Sequence, residues 1–192
     1  PDPTTGNTRN TVETVNAPGD TDISGLEVDA VLDVTDDLRL TLGYAYTETR
    51  VPDAQNPFPA SAACPSCGTI QPVFIIYTPP HAVTAALDYV RPLGWGEVRA
   101  HLDANYAEGT QRFEQSPEKT DDSFIGNARL ALAGVQVGDG REMTFSIWSR
   151  NLLNEAHIYR RSTEGRSGTN AIGDYANFNE PRTYGLEISA RF

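Results

Sequence analysis

Apolar and polar residues alternate along this chain in short runs, and the clearest run is the last one. Tyr184, Leu186, Ile188, Ala190 and Phe192 fall on one side of that run, whereas charged and small residues fall on the other. A period of two residues predicts a β-strand with one apolar face. The same alternation predicts further strands over residues 23–34, 38–47, 83–90, 98–107, 127–132 and 143–150.

The distribution of charge between the two faces of these strands indicates what surrounds them. Along the strands, most charged side chains lie opposite the apolar face, at Glu27, Asp29, Asp33, Asp88, Arg99, His101, Asp103, Arg129, Arg150, Glu187 and Arg191. A soluble β-sandwich also alternates, but it does not predict such segregation on so many consecutive strands. The pattern is typical of a transmembrane β-barrel, in which lipid contacts one face and a polar lumen contacts the other.

The predicted connections alternate between short and long. Short turns follow Val34, Val90 and Val137, whereas long connections follow Arg50, Thr110 and Tyr159. This rhythm predicts an all-β fold, an antiparallel meander from an outer-membrane barrel with tight periplasmic turns and long outer loops. We expect tyrosines of the apolar faces to lie at the membrane boundaries, at Tyr44, Tyr46, Tyr89, Tyr106 and Tyr184.

Composition is compatible with this prediction and excludes other classes. The mean hydropathy is only -0.42, but alternate residues alone need to contact lipid in a barrel strand. No run reaches the roughly 18 apolar residues of a membrane helix. The net charge of -11, without a basic patch, argues against a nucleic-acid partner. Residues 1–22 are polar and predict at most an irregular strand near residues 11–16.

Two cysteines, Cys64 and Cys67, lie in a Pro-rich connection. We predict that they form a small disulfide in an oxidising compartment. A redox site of this spacing usually adjoins a βαβ pattern, which is absent here. A zinc site needs two further soft ligands, and none lies nearby in sequence.

Candidate catalytic chemistry is sparse. His101 and Asp103 share a strand face, but no nucleophile is placed by a motif. Asp121 and Asp122 lack a calcium-loop pattern and are explained by turn formation. We therefore expect no enzyme activity, metal or cofactor.

Several motifs, taken in order, resemble TonB-dependent outer-membrane receptors. Residues 16–19 (Asn-Ala-Pro-Gly), 24–28 (Ser-Gly-Leu-Glu-Val) and 40–47 (Leu-Thr-Leu-Gly-Tyr-Ala-Tyr-Thr) resemble the late barrel strands of that family. Residues 150–155 (Arg-Asn-Leu-Leu-Asn-Glu) resemble its Asn-Leu-Phe-Asp type motif, departing at the third and fourth motif residues. The closing run, 184–192, is similar to the family's C-terminal strand. The resemblance spans about residues 11–192.

The resemblance implies a plug domain inside a barrel of about 22 strands. With seven or eight strands and no counterpart of the plug, residues 1–192 are expected to be the C-terminal portion of one barrel domain. The implied function is uptake of an iron-siderophore, a similar chelate or a carbohydrate across the outer membrane of a Gram-negative bacterium. The implied partners are outer-membrane lipid and lipopolysaccharide, the remaining barrel and plug, the TonB complex and a small-molecule ligand. The barrel assembly machinery would read the last strand through Tyr184, Leu186, Ile188, Ala190 and Phe192.

Aromatic and arginine residues in the long connections are the predicted ligand-binding residues. Aromatic faces suit a chelate or a sugar, and arginine forks suit an anion. The set comprises Phe58, Phe74, Tyr77, Arg112, Phe113, Tyr159, Arg160, Arg161, Arg166, Tyr175 and Phe178. For Arg160, Arg161 and Arg166, a solvated loop or contact with anionic lipid headgroups is an equally good interpretation.

Two alternative hypotheses remain. The chain could be a self-contained eight-stranded outer-membrane barrel with a structural or adhesive role, although a closed barrel requires a good first strand to pair with the last. An outer-membrane hydrolase is the second alternative, and it requires a turnover that depends on His101.

Overall fold

The structure is a computed structural model that describes residues 14–16, 18–60, 67–138, 140–162 and 175–191. Within these residues, β-strands are the only regular secondary structure. In chain order they are β1 Asp22–Thr35, β2 Leu38–Arg50, β3 Ala54–Gln55, β4 Ile70–Gln71, β5 His81–Leu93, β6 Gly96–Ala107, β7 Ser123–Gln136, β8 Glu142–Arg150, β9 Ile158–Ser162, β10 Tyr175–Phe178 and β11 Thr183–Arg191. No helix among the described residues is long and apolar enough to cross a membrane.

Seven strands form one antiparallel sheet in the order β1-β2-β5-β6-β7-β8-β11. The predicted all-β antiparallel meander is confirmed. Strands β3 and β4 form one small separate pair, and β9 and β10 form another. Among the described residues, the outer edges of β1 and β11 have no neighbouring strand, so the sheet is open.

The observed strands differ from the predicted ones mainly at their ends. Strand β5 continues through Pro92 to Leu93, and β7 extends from Ser123 to Gln136, because ladder pairing persists up to each turn. The pairing of β7 with β8 shifts between Leu132 and Val135, next to a glycine, Gly134, with φ of 63°. A positive φ at glycine is typical of a bulge. The irregular strand expected near 11–16 is wrong for residues 14–16, and residues 11–13 lie outside the described part.

The apolar face of the sheet is exposed along its whole width. Leu26, Leu102, Ile147 and Leu186 on this face retain 57, 48, 53 and 81% of their accessible surface. The buried apolar residues of the described chain are only Cys67, Ala131 and Ala133. Because folding in water is driven by burial of apolar surface, a sheet of this size without an apolar core is not built for water on this face.

The apolar face ends at charged residues on both sides. On β2 its outward positions run from Leu38 to Tyr46, which is roughly 27 Å along a strand at about 3.4 Å per residue. At the barrel tilt of about 40°, this spans roughly 21 Å, close to the apolar band of about 25 Å in outer-membrane barrels. Beyond Tyr46, the next positions on this face are Glu48 and Arg50, which form an ion pair of 2.7 Å. At the other end, Arg91 pairs with Asp37.

Tyrosines mark the end of the apolar face near the long connections. The ring centroids of Tyr44 and Tyr46 lie 6.2 and 5.1 Å from that of the His81 imidazole. The Tyr44 hydroxyl lies 3.0 Å from His81 Nδ1. Aromatic side chains with one polar end suit the membrane–water boundary, and the placement of these tyrosines at that boundary stays a prediction.

On the polar face, one residue from each of the seven strands contributes to a continuous row across the sheet. Neighbouring members pair directly in the ladder, in the order Asp33, Arg39, Asp88, His101, Arg129, Trp148 and Gly185. Arg39 and Asp33 form an ion pair of 2.7 Å, and His101 Nδ1 lies 2.6 Å from Asp88 Oδ1. Arg129 also reaches Glu187 at 3.0 Å. The ionisable members of this row therefore contact one another or, for Arg129, a carboxylate on the same face.

Candidate ligand-binding site

Three long connections leave the same end of the sheet. They span residues 51–80, 108–122 and 151–182 and are called here the first, second and third long connections. The opposite end has only short turns, at 36–37, 94–95 and 137–141. The predicted alternation of short and long connections is therefore present in the structure.

Backbone hydrogen bonds join the first and second long connections. The amide of Phe74 donates to the carbonyl of Glu114 at 2.8 Å, and the amide of Tyr77 donates to that of Gln111 at 3.1 Å. The second and third connections are joined through Asp121, whose amide donates to the Ile158 carbonyl at 3.1 Å. The Ile158 amide donates in return to Asp121 Oδ2 at 2.8 Å.

One guanidinium contacts all three connections. Arg112, in the second, lies over the ring of Tyr77 in the first, with 4.6 Å between Cζ and the ring centroid. Its Nη2 donates to the carbonyl of Tyr159 in the third. Its Nε is buried and has no hydrogen-bond partner among the described residues. We call this contact the Arg112 junction, formed by Tyr77, Arg112 and Tyr159.

Tyr77 adopts a left-handed backbone conformation with φ of 58°. This conformation costs an aromatic residue on the order of 1–3 kcal/mol, and such strain concentrates at functional sites. The side chain is 59% exposed even though the guanidinium covers part of it. The surrounding contacts therefore hold an accessible aromatic ring in a defined position.

A recess of about 200 Å³ opens beside the Arg112 junction. Its lining draws on all three long connections and on the adjoining ends of β6 and β7. Among the residues that line it are Tyr77, Glu108, Arg112, Asp121, His157 and Tyr159. Ligand pockets that enclose a drug-sized molecule are typically about 300–1,000 Å³, so this recess has room for one end group of a larger ligand.

A buried asparagine fixes the base of the third connection. Asn151 is 4% exposed and its Nδ2 donates to the carbonyls of Glu155 and Glu180 at 2.7 and 3.0 Å. Its Oδ1 accepts from the Glu155 amide at 2.8 Å. Asn179 supports the same base, because its Oδ1 accepts from the His157 amide at 2.8 Å. The two ends of the connection are thereby joined next to the recess.

The buried His157 is part of this base. Its Nδ1 lies 2.7 Å from Glu155 Oε2, and its carbonyl accepts from the Asn179 amide at 3.2 Å. Only 9% of the residue is exposed. The imidazole at the wall of the recess is therefore held in a fixed orientation.

The structure brings together some of the predicted ligand-binding residues. Tyr77, Arg112 and Tyr159 meet at the junction, and Phe113 and Arg161 line a second, small hollow that Arg112 also lines. Phe74 is tied to the second connection through its backbone. The binding role of these residues stays a prediction.

Other predicted residues lie apart from the recess. Phe58 is partly buried near the β3–β4 pair, and Arg160, Tyr175 and Phe178 are exposed on the β9–β10 hairpin. The sequence predicted a loop at that hairpin, which is wrong because Ala176 and Asn177 pair with Arg161 and Arg160. Arg166 lies outside the described residues.

Glu108, Asp121 and His157 line the recess but were not among the predicted ligand-binding residues. Asp121 was expected only to form a turn, and no role was predicted for His157. Their role as lining residues depends on contacts between connections that are far apart in sequence. The run from Asn151 to His157, rich in hydrogen-bonding side chains directly after a strand, was the one local signal.

The two remaining predicted sites are at Cys64/Cys67 and on the last strand. Cys67 is buried and disulfide-bonded, whereas Cys64 lies outside the described residues, so the pairing stays a prediction. On β11, Tyr184, Leu186 and Ile188 are 79, 81 and 65% exposed on the apolar face; Ala190 shares that face and Phe192 lies outside the described part. Their role as an assembly signal also stays a prediction. Among the described residues, no group of His, Cys, Asp and Glu is placed to hold a metal ion.

A protein-family model described as TonB dependent receptor-like, beta-barrel matches residues 1–152. The matched segment includes β1 to β8, with Tyr77 and Arg112, and ends before β11. No curated protein matches the chain. No solved structure matches it either.

Proposed function

Because the chain belongs to the TonB-dependent receptor-like β-barrel family, we propose that it supplies wall and outer loops to a receptor that imports a scarce nutrient. The family consists of outer-membrane transporters of Gram-negative bacteria. In this proposal the ligand is an iron chelate or a carbohydrate, captured by the three long connections. Transport is then driven by the TonB complex.

The observation that carries this proposal is the contrast between the two faces of the sheet. The apolar face is exposed and bounded by charged residues, whereas the polar face carries a row of paired charges. Apolar side chains outside and paired polar side chains inside are what a lipid-embedded wall requires. A soluble protein with this many exposed apolar side chains would aggregate.

We further propose that residues 1–192 are the C-terminal portion of a larger barrel that also contains a plug. The open edges of β1 and β11 support this, since edge strands need partners and barrels provide them. In the proposed assembly, the apolar face contacts lipid and lipopolysaccharide, and β11 is recognised by the barrel assembly machinery. Intact mass and N-terminal sequencing of the natural protein test the proposed size, and a mature protein of only these residues would contradict it.

The transport proposal is tested in cells that carry or lack the full-length receptor. We expect the receptor in the outer-membrane fraction and, from a panel of labelled ferric chelates and oligosaccharides, accumulation of at least one compound. That accumulation is expected to disappear in a receptor deletion and equally in a strain without TonB. The proposal fails if the protein is absent from the outer-membrane fraction. It also fails if no compound accumulates in a way that depends on both the receptor and TonB.

A further inference from the structure

We infer that the recess at the Arg112 junction binds a neutral sugar ring, so that the ligand is a carbohydrate and not a polyanionic ferric chelate. This inference rests on the proposed transport function and specifies its ligand class. It follows from the charge balance of the recess, from its exposed aromatic side chains and from its mixture of hydrogen-bond donors and acceptors.

The charges around the recess compensate one another. Glu108 is paired with Lys119 at 2.9 Å, and Arg112 lies in the same lining as Asp121. His157 is backed by Glu155 at 2.7 Å. A polyanionic ligand would therefore meet two carboxylates and no net positive charge, and like charges brought together in a partly desolvated site repel strongly.

The single arginine of the recess is already engaged by the protein. Its Nη2 donates to the Tyr159 carbonyl and its Cζ lies over the Tyr77 ring. Recognition of an anion by arginine usually uses the planar fork for two parallel bonds. A guanidinium with one nitrogen engaged and Nε sealed from solvent retains single donor positions, which suit the hydroxyls of a sugar.

Aromatic rings provide the apolar surface that a sugar ring needs. Tyr77 and Tyr159 are 59 and 44% exposed at the mouth of the recess. The face of an aromatic ring carries partial negative charge, so it attracts the weakly positive C–H groups on one side of a sugar. The strained backbone of Tyr77 holds its ring in place before any ligand arrives.

Carboxylates and hydroxyls in the lining provide hydrogen-bond partners for the hydroxyls of a sugar. A sugar hydroxyl both donates and accepts, and the ionised carboxylates of Glu108 and Asp121 are acceptors with about four lone-pair positions each. Asp121 uses part of this capacity for the Ile158 amide. Thr110, Thr120 and Ser123 add hydroxyls to the same lining.

The test measures binding to the purified full-length receptor in detergent. The probes are an array of neutral oligosaccharides, with ferric citrate and a ferric tricatecholate as polyanions. We expect a neutral oligosaccharide to bind and both polyanions not to bind. Tyr77→Asn keeps a residue that tolerates the left-handed conformation but removes the ring, and should raise Kd about tenfold. Asp121→Asn should raise it about three- to tenfold.

The matched control is Trp95→Asn, which removes a similarly exposed aromatic ring from a short turn at the opposite end of the sheet. It should leave Kd unchanged, and unaltered heat-modifiability in gels checks the folding of all variants. The inference is overturned if no neutral oligosaccharide binds, if a polyanion binds and loses affinity in Tyr77→Asn, or if neither site variant weakens sugar binding. Those results leave the transport proposal intact, because that proposal fails only when accumulation does not depend on receptor and TonB.

Discussion

The indole ring of Trp148 lies against Gly185 of the neighbouring strand, where a larger residue would collide with it. A Cβ added at Gly185 would come within 2.6 Å of Trp148 Cζ2 and 2.8 Å of Cε2. We predict that Gly185→Ala lowers the free energy of unfolding by about 1–3 kcal/mol, as overpacking typically does. Urea unfolding of the full-length receptor in lipid vesicles measures this change.

Gly126→Ala is the control for that substitution. It lies in an inner strand of the same sheet, and the nearest atom to an added Cβ is the Asp103 carbonyl oxygen at an ordinary 3.6 Å. We expect a change within about 0.5 kcal/mol. Equal losses for the two variants would mean that the Trp148 contact does not limit residue 185.

Two exposed residues of β6 test which face contacts lipid. Leu102 points to the apolar face and Asn105 to the polar face. In a bilayer, Leu102→Arg should cost about 2–4 kcal/mol, whereas Asn105→Arg on the lumen side should be nearly neutral. The yield of heat-modifiable receptor in the outer membrane measures both.

In a protein surrounded by water, both arginines would be solvated and neither variant would lose stability. The comparison therefore separates the two environments with the same introduced residue on the same strand. Assembly of Leu102→Arg at the level of Asn105→Arg would overturn the lipid-facing assignment.

Asn151 is expected to control the third long connection. Its side chain makes three hydrogen bonds from a buried position with φ of 49°. Asn151→Ala removes them and leaves an unfavourable backbone, so it should destabilise the connection by about 2–4 kcal/mol. Hydrogen exchange of the amides of residues 155–158, 179 and 180 should accelerate strongly.

Asn154→Gly provides the contrast for Asn151→Ala. Asn154 also has a positive φ, of 54°, but it is exposed, and among the described residues its side chain accepts only from the Arg182 amide. Glycine tolerates that conformation, so exchange at the same amides should change little. Similar acceleration in both variants would show that Asn151 has no special role.

Arg112→Lys should loosen all three long connections at once. Lysine carries the charge but lacks the planar group that stacks on Tyr77 and reaches the Tyr159 carbonyl. The lost stacking and charged hydrogen bond amount to about 2–4 kcal/mol. Limited proteolysis should cleave the first and third long connections faster, as well as the second.

Arg160→Lys is the corresponding control, since the side chain of Arg160 is exposed on the β9–β10 hairpin and does not line the recess. Its cleavage pattern should match that of the unchanged protein. If Arg112→Lys accelerates cleavage only within 108–122, the guanidinium does not link the connections.

The sheet was predictable because the sequence of each strand alone shows which side chains lie on its apolar face and which on its polar face. Alternation along 38–47 and 98–107 required only the two-residue period of a strand, and the alternating connection lengths gave the antiparallel order. Strand ends were less predictable. Pro92 suggests a turn by composition, yet ladder pairing with Glu97 keeps it in β5.

The site was predictable only as a set of residue types. Aromatic and arginine residues could be assigned to the outer end, and three of them, Tyr77, Arg112 and Tyr159, do meet there. Which of the others would join them depended on contacts between connections separated by tens of residues. The pairing of 158–162 with 175–178 as a hairpin was missed for the same reason.

The difference in connection length at the two ends of the sheet has an evolutionary consequence. Each short turn sets the register of two long strands, so inserting or deleting one residue there would exchange the side chains of the apolar and polar faces. The long connections start only after a ladder is complete, so they can gain, lose or exchange residues without disturbing that register. Ligand preference in such a protein can diverge rapidly at one rim while the remainder changes slowly.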